Sequence, residues 1–344
     1  MNVYAAIVLA AGAALGVTAL LGFVFIPWLH KLKFGQIILD IGPNWHKHKQ
    51  GTPTMGGLMF IIGVPLAVAA ALGTDALMGG RMLRFDDSFT VKMLSGLIMA
   101  MLFGLMGFLD DYTKVVKKRN KGLSISQKTA MQLLISGGYL FSLFLAMGSN
   151  PYTLIPFVGQ VQVGWWFWPF GFAVLYATTN AVNFTDGIDG LCASVSMITG
   201  IGLAVFALMR GVFGAGVVAA ALAGGCAGFL FWNRPTAKVF MGDTGSMFIG
   251  GLVVAIAFAL DTPVILLLMG LIYVIEGLSD VLQIGYFKLT RGKRIFKMAP
   301  IHHHFEMSGW SEKKIGIIFS IVNVLGVAAA IAVAYYGLRA FIVL

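Results

Sequence analysis

Charged residues are scarce in this chain of 344 residues: they make up 11% of the sequence, whereas hydrophobic residues make up 58%. One soluble core cannot hide that much apolar surface, and a mean hydropathy of +0.88 is typical of a membrane protein. The sequence also lacks the roughly ten-residue stretches of alternating polar and apolar positions that mark an outer-membrane barrel. These two absences leave an integral membrane protein made of helices.

Cysteine and N-terminal charge are scarce as well. Cys192 and Cys226 both fall inside apolar runs; a disulfide between them is compatible with the sequence, but two cysteines alone make no zinc site.

No lysine or arginine precedes Lys31, and the first apolar run exceeds a typical signal-peptide core, so we expect no cleavable signal. Neither an internal repeat nor a linker is present, which predicts a single membrane domain over residues 1–344.

Ten apolar runs are long enough to cross about 30 Å of hydrocarbon as helices. They lie near residues 3–29, 55–73, 93–109, 130–148, 166–182, 190–209, 212–232, 239–260, 263–285 and 315–338. The predicted fold class is therefore all-α: a polytopic membrane protein with about ten transmembrane helices.

Basic residues predict the orientation of these helices, because loops that stay in the cytoplasm hold the excess of lysine and arginine. Four loops, at 30–54, 112–128, 233–238 and 286–314, hold 19 of the 24 basic residues. We expect these loops and the turn at 183–189 on the cytoplasmic side, and both termini outside. The formal charge of +10 is then concentrated on one face, where it suits anionic lipids or a polyanionic substrate, or serves only as a topology signal.

The few acidic residues are divided between the two predicted sides. Four lie outside (Asp75, Asp86, Asp87 and Asp261), whereas five fall at cytoplasmic helix ends: Asp110, Asp111, Asp186, Asp189 and Asp243. Carboxylates from three separate segments at one depth repel each other unless cations lie among them. A site that holds a metal ion and phosphate groups satisfies that condition.

The segment GFLDDYTKVVKKRNKG (107–122) places Asp110 and Asp111 at the end of the third run, followed by a basic loop. Adjacent side chains on a helix point about 100° apart. We therefore expect at most one of the two to meet a metal directly, while the other faces a second partner or acts as a base. The alternative is an ordinary helix end with a solvated basic loop.

Two glycine-rich segments hold the other three acids. In VNFTDGIDGL (182–191), the glycines predict a turn whose N–H groups can approach a ligand, although Asp-Gly is also a common turn dipeptide. In VFMGDTGS (239–246), Asp243 is either a helix N-cap or a carboxylate beside a positive helix end that suits an anion and Mg²⁺. Phe240 nearby is a core residue or a stacking plate for a base.

All six histidines fall on the predicted cytoplasmic side: His30, His46, His48 and the run 302–304 in MAPIHHHFE. Three successive imidazoles cannot face one metal at helical spacing, and no cysteine joins them. Phosphate contact and proton handling therefore suit them better than zinc. Glu276 and Asp280, in the ninth run, are either buried partners of a basic side chain or the mark of a break in that helix.

Five segments together resemble one family. HKHKQGTPTMGG (46–57), LDDYTK (109–114), NAVNFTDGIDGL (180–191), VFMGDTGS and PIHHHFE occur in the order of the polyprenyl-phosphate N-acetylhexosamine-1-phosphate transferases, at comparable spacing over the whole chain. GTPTMGG and the triple histidine resemble the muramoyl-pentapeptide branch of that family. The proline in NRPTAKVF (233–240) lies one residue earlier than in the family pattern, which leaves the backbone of that loop open.

The resemblance implies a multi-pass enzyme of the bacterial cytoplasmic (inner) membrane that acts in peptidoglycan biosynthesis. It would transfer phospho-MurNAc-pentapeptide from UDP-MurNAc-pentapeptide to undecaprenyl phosphate, giving lipid I and UMP, with Mg²⁺ as cofactor. Its partners would be these two substrates and membrane lipid, with no nucleic acid. The active site would lie at the cytoplasmic face, where a soluble nucleotide sugar can meet a phosphate held in the leaflet.

Matching motif positions carry the family's site residues onto this chain. Asp243 and Asp111 would bind Mg²⁺, and Asp110 would orient or deprotonate the lipid phosphate; Asp110 and Asp111 can exchange roles, and an aspartyl-phosphate intermediate is the chemical alternative. The uridine site would comprise Asn183, Asp186, Gly187, Ile188, Asp189 and Phe240. The phosphate and sugar region would comprise Lys49, Thr54, Lys114, Lys118, Lys128, Asn233, His302 and His303, with His302 also taking part in catalysis.

Two other functions compete with this one. A transporter or flippase would carry ionisable groups near the bilayer midplane on broken, repeated helices, and Glu276 and Asp280 alone come close to that pattern. A sister transferase that uses UDP-GlcNAc would share the aspartate motifs and differ mainly at 298–306. Steps such as Gly12 to Gly16 and Gly224 to Gly228 fit close helix packing and are compatible with a homodimer.

Overall fold

The computed structural model describes residues 1–32, 49, 51–80, 82–83, 87–116 and 122–343, and these residues form an almost entirely helical protein. The helices are α1 (Val3–Lys31), α2 (Leu58–Leu77), α3 (Ser88–Val116), α4 (Ile125–Ala146), α5 (Phe167–Thr185), α6 (Leu191–Met209), α7 (Phe213–Asn233), α8 (Gly242–Ala259), α9 (Leu266–Met269), α10 (Leu271–Leu289), α11 (Ile301–Glu306) and α12 (Glu312–Gly337). One antiparallel hairpin, β1 (Tyr152–Ile155) and β2 (Gly159–Gln162), joins α4 to α5. The all-α class is confirmed.

Eight of the described helices are long and apolar enough to cross a membrane, namely α1 to α4, α6 to α8 and α12. The segment Pro263–Met269 and helix α10 make a ninth if they count as one span bent by 88°. The described residues therefore support eight or nine spans, where the sequence predicted about ten. The remaining predicted span, at 166–182, is α5, whose second half carries Thr178, Thr179, Asn180 and Asn183 and is less apolar for that reason.

The bend in the ninth predicted span lies at Gly270, between α9 and α10. Glu276 lies beyond it, within α10, and is fully buried next to His302. The sequence left two interpretations of Glu276 open, and the structure decides for the partner of a basic side chain. The helix break is a separate feature and lies at Gly270, a residue type that weakens a continuous helix.

Glycine lets the central helices approach closely. Helix α3 packs along α8, and a Cβ at Gly107 would collide with the backbone of Asp243, so glycine is required where the two helices meet. Gly224 and Gly228 of α7 face the backbone of α1 in the same way. Gly12 and Gly16 face open space, so the close packing predicted for Gly12 and Gly16 does not occur within the described chain. A homodimer stays a prediction.

Polar clusters lie at both ends of the helix bundle. At one end Lys92, near the start of α3, donates to Asp261 after α8 at 2.6 Å, and Tyr152 of the hairpin donates to the same carboxylate at 3.1 Å. Asp110 lies near the other end of α3, about 27 Å further along at 1.5 Å per residue. That length matches the hydrocarbon core of a bilayer.

The division of the acids between two ends is confirmed for the described residues. Asp75, which accepts from the N-terminal ammonium at 3.0 Å, belongs with Asp261 to one end. The five acids predicted at cytoplasmic helix ends belong to the other. Asp86, His46, His48 and Lys118 lie outside the described residues. Which end faces the cytoplasm stays a prediction from the basic loops, as does the placement of both termini outside. Cys192 and Cys226 are buried and free.

Candidate active site

Two helix ends bring Asp110, Asp111 and Asp243 together. The first two lie in the last turns of α3, and Asp243 lies in the first turn of α8, which runs alongside in the opposite direction. One carboxylate oxygen from each lies within 4.8 Å of the others. An oxygen-only group of this size suits a hard divalent cation such as Mg²⁺. Both adjacent aspartates contribute an oxygen to this group, and the expectation that at most one of them meets a metal directly stays a prediction.

The two adjacent aspartates face different partners. Asp111 accepts two hydrogen bonds on Oδ2, from the backbone N–H of Thr244 at 2.9 Å and from its hydroxyl at 2.8 Å. Asp110 accepts from the backbone N–H of Leu123 at 2.8 Å and lies 2.6 Å from the ammonium of Lys114. Asp111 is therefore fixed to α8, whereas Asp110 is fixed to the segment that leads into α4. This difference follows from their divergent directions on the helix.

Two lysines lie among these carboxylates. Lys128 donates to Oδ2 of Asp243 at 2.7 Å and lies 3.1 Å from Asp110, while Lys114 lies 3.3 Å from Asp243. A capping box between Ser124 and Gln127 starts α4 and so holds Lys128 one turn inside the helix. Three carboxylates and two ammonium groups leave a net charge of about −1. That residual charge, on oxygen ligands, favours binding of a cation.

Asp243 is not the N-cap of α8. The N-cap residue is Met241, without a side-chain cap, and the Asp243 carboxylate points to Lys128 and to the Asn183 amide, which donates to Oδ1 at 3.1 Å. The N-cap interpretation of Asp243 is therefore wrong, because its side chain has charged partners across the site. Asn183 also donates to Ser246 at 2.8 Å, which ties α5 to α8.

Residues 186–190 form the predicted turn between α5 and α6. Gly190 has φ of +76°, a left-handed conformation that glycine adopts without strain, and its N–H donates to Asn233 at 3.0 Å. Asp189 is buried; one oxygen accepts from Lys49 at 2.7 Å and the other from the N–H of Ala237 at 2.8 Å. The turn is thereby fixed against the 233–240 loop.

Asp186 is the acid of this turn that has no fixed cationic partner within the part of the chain that the structure describes. Burial, together with the charges of Asp243 and Asp111, raises the pKa of Asp186 well above its ordinary value. A carboxyl group in that condition takes up a proton more readily and can then donate a hydrogen bond. Asp186 therefore differs from Asp189, which is paired with Lys49, in its partners as well as in position.

The three histidines of the run face three different directions. His302 is fully buried, with Nδ1 3.0 Å from the Glu276 carboxylate. Its Nε2 has no hydrogen-bond partner among the described residues and lies against Gly187, where a Cβ would collide with it. His303 Nδ1 pairs with Glu306 at 2.6 Å, and His304 accepts from the N–H of Lys297. The expectation that they do not share one metal is consistent with these contacts.

Thr54 and Phe240 lie where the 53–57 segment meets α8. The Phe240 N–H donates to Pro53 at 2.8 Å, and its carbonyl accepts from Gly56 at 2.9 Å, so the two segments run side by side. A Cβ at Gly242, which has φ of +69°, would press on the Thr54 hydroxyl and on Asp111. The Phe240 ring is half-buried and Ile188 is buried.

Comparison with known proteins agrees with the geometry. A model of glycosyl transferase family 4 matches residues 93–261, and signature 1 of the phospho-N-acetylmuramoyl-pentapeptide-transferases matches residues 49–61. The transferase of that name from Acetivibrio thermocellus is 46% identical over 310 residues, covering 89% of this chain and 88% of the relative. The one from Desulforamulus reducens is 43% identical over 333 residues, covering 94% and 96%.

The chain belongs to the phospho-N-acetylmuramoyl-pentapeptide-transferase family. The resemblance drawn from the sequence motifs is thereby confirmed. Membership of this family makes the chain a transferase and decides against a transporter.

The transferase's predicted site residues form three neighbouring groups. The first is built around Asp110, Asp111 and Asp243, with Lys114, Lys128 and Asn183. The second joins Lys49, Asp189, Gly190 and Asn233. The third is the pair of His302 and Gly187. His303 pairs with Glu306 and lies beside His302, with ring centroids 4.1 Å apart.

Three residues that contact the site were not among the site residues predicted from the sequence. Thr244 holds Asp111, Glu276 holds His302, and Glu312 binds Lys49 with both carboxylate oxygens at 2.6 Å. The sequence contained one signal for the two glutamates. Acids are rare in this transferase, with 14 in all, so each acid near a basic motif is a candidate partner.

Proposed function

We propose that this transferase moves phospho-MurNAc-pentapeptide from UDP-MurNAc-pentapeptide to undecaprenyl phosphate, forming lipid I and UMP, with Mg²⁺ as cofactor. The carboxylate group of Asp110, Asp111 and Asp243 at the ends of membrane-crossing helices carries the proposal. The relatives named above are called phospho-N-acetylmuramoyl-pentapeptide-transferases. The similarity covers 88% and 96% of their length. The signature match at 49–61 supports the muramoyl-pentapeptide donor over UDP-GlcNAc.

The donor set fits Mg²⁺, which prefers oxygen ligands and retains several waters. Asp243 and Asp111 are the proposed ligands. Thr244 fixes Oδ2 of Asp111, whose Oδ1 lies 3.5 Å from the ammonium of Lys114, while Asp243 is the most open of the three, with 18% of its side chain exposed. Charge on the diphosphate of the donor would be neutralised by Mg²⁺ held at these two carboxylates.

Asp110 is the proposed base or orienting group for the lipid phosphate. The Leu123 N–H and Lys114 hold its carboxylate in place. An oxygen of the lipid phosphate attacks the β-phosphorus of the donor, and the bond to UMP breaks on the opposite side. Lys114 and Lys128 stabilise the charge that develops on the phosphoryl oxygens. A covalent phosphate on Asp110 is the alternative two-step route.

The turn at 186–190 and Phe240 are the proposed uridine site. The raised pKa of Asp186 suits a group that donates a hydrogen bond to a carbonyl oxygen of the base. Ile188 and Asp189 belong to the same turn, and Asn183 lies just before it in the last turn of α5, with its amide on Asp243. Glu276 holds the Nδ1 side of His302, so that Nε2 is directed at this turn as a hydrogen-bonding group.

The inner membrane is the proposed location, with the carboxylate group at the cytoplasmic end. Cysteines placed at Ser126 and Met78, which lie at opposite ends of the bundle, test this orientation, because both native cysteines are buried. We expect a membrane-impermeant thiol reagent to label the Met78→Cys variant in intact cells, and the Ser126→Cys variant after the inner face is opened. The reverse pattern would invert the orientation.

A product assay tests the proposed reaction. Purified wild-type protein, radiolabelled UDP-MurNAc-pentapeptide, undecaprenyl phosphate and Mg²⁺ should yield an organic-soluble lipid product together with UMP. An excess of unlabelled UDP-GlcNAc should leave that yield unchanged. Product formed from UDP-GlcNAc in place of the muramoyl donor would assign the chain to a sister reaction.

A further inference from the structure

Glu312 connects the last helix to the proposed donor site. It is the first residue of α12, and both of its oxygens lie 2.6 Å from the ammonium of Lys49. Oε2 also accepts from the backbone N–H of Asp189 at 3.3 Å. An acid at a helix start is ordinarily explained by the helix dipole alone. Here the carboxylate reaches across to a chain segment 263 positions away, which the dipole does not explain.

Lys49 is nearly buried, with 6% of its side chain exposed, and lies between two carboxylates. Asp189 takes one side of the ammonium at 2.7 Å, and Glu312 takes the other. The three charges sum to about −1. A group with that net charge repels phosphate and suits the uncharged, hydrogen-bonding part of a nucleotide. Lys49 therefore belongs with the nucleoside rather than with the diphosphate.

We propose that Glu312 is a positioning residue for the nucleoside of the donor, acting through Lys49 and Asp189. This inference rests on the proposed function, because it takes a uridine nucleotide as the ligand. The carboxylate of Glu312 fixes the Lys49 ammonium and the backbone of the 186–190 turn together. Without Glu312, Lys49 has one carboxylate partner and the turn loses a hydrogen bond, so the surface that binds the nucleoside is less ordered.

Equilibrium binding of UMP and of uridine to purified protein is the first test, because it does not depend on turnover. Glu312→Gln keeps the size of the side chain and removes the charge. One charge-assisted hydrogen bond accounts for about tenfold in affinity. We expect Glu312→Gln to weaken UMP and uridine by the same factor of about ten. Tighter UMP binding would show that Glu312 restrains a phosphate-binding lysine, which overturns the proposal, as does unchanged binding of both.

Kinetics separate positioning from a general loss of structure. In Glu312→Gln the KM for the donor should rise, while kcat and the KM for undecaprenyl phosphate stay at the wild-type values. Glu312→Asp keeps the charge and should recover part of the donor affinity. Lys313→Gln, an exposed neighbour on the same helix turn, is the matched control and should behave as wild type. Equal losses for both substrates, or a lower melting temperature with unchanged donor KM, overturn the proposal.

A double-mutant cycle tests whether Glu312 acts through Lys49. Lys49→Gln alone should weaken UMP, and adding Glu312→Gln should weaken it by much less than it does in the wild-type background, because the ammonium partner is already gone and only the Asp189 N–H contact remains. Independent, additive losses overturn the assignment. Failure of the proposed function has a different signature, since it is seen in the wild-type protein as absence of the lipid product. Wild-type protein that binds no UMP overturns both.

Discussion

Replacing Asp243 with asparagine should raise the Mg²⁺ concentration that the transferase requires. The substitution keeps the size of the side chain and removes one negative charge from a group whose oxygens lie within 4.8 Å of each other. A unit charge about 4 Å from a divalent ion contributes about 2 kcal/mol at the dielectric constant of water and about 8 kcal/mol at an effective value of 20. Because Asp243 is partly exposed and Lys128 competes for it, the lower figure applies.

A loss of about 2 kcal/mol corresponds to a thirtyfold weaker Mg²⁺ affinity. Activity of Asp243→Asn should therefore be partly restored by added Mg²⁺, since concentration offsets lost affinity. Asp110→Asn should behave differently. If Asp110 serves the attacking phosphate and is not a metal ligand, its charge acts on Mg²⁺ from further away, so its loss should weaken Mg²⁺ affinity less than the loss of Asp243. Its defect should lie in kcat, with little rescue by metal.

Mg²⁺ titrations of turnover for both variants decide between these roles, with UMP binding measured separately. Asp87→Asn is the control, because it makes the same change of charge at the opposite end of α3, where Asp87 accepts from the Phe89 N–H. The same shift in Mg²⁺ requirement for Asp243→Asn and Asp110→Asn would refute the division of roles. If added metal alone rescues Asp110→Asn, Asp110 is a metal ligand, and Asp111 becomes the proposed base.

Three further predictions concern single residues. Phe240→Ala should weaken donor binding by about 1–3 kcal/mol and leave lipid-phosphate binding unchanged, because stacking touches only the base; equal losses would make Phe240 a packing residue. Gly187→Ala should lower kcat about a hundredfold, because the added Cβ displaces His302. Gly285→Ala, which has open space at its Cβ, is the control and should match wild type. Equal activities of the two variants would show that His302 takes no part in catalysis. Lys92→Met should lower the free energy of unfolding by about 3 kcal/mol, because it leaves the buried Asp261 carboxylate without its ammonium partner. The kcat of the folded enzyme should stay unchanged. An unchanged melting temperature would contradict this prediction.

Several features of the site follow from the sequence because they are local. The composition alone requires membrane helices, since an apolar run of about twenty residues can satisfy its backbone in lipid only as a helix. The turn at 186–190 follows from its glycines. The contrast between Asp110 and Asp111 follows from the angle between adjacent helix positions. These arguments use a few neighbouring residues, and each of them agrees with the structure.

Other features needed the folded chain. The sequence predicted a full span at 263–285, but the helix bends at Gly270, and the polar residues of α5 reduce the number of clear spans. Whether Asp243 capped its own helix or faced the site depended on where α4 placed Lys128. The motif resemblance assigned Lys49 to phosphate, whereas the structure surrounds it with two carboxylates.

The sequence by itself determined the membrane class, the helical fold, the grouping of the described acids at two ends of the bundle and, through its motifs, the family. Tertiary structure alone decided which polar groups meet: Glu276 with His302, Thr244 with Asp111, and Glu312 with Lys49. The reason is physical. Helix formation and membrane insertion depend on neighbours within about twenty residues. Burial of a polar group instead requires a partner within about 3 Å, and helices far apart in sequence supply that partner only once they have packed.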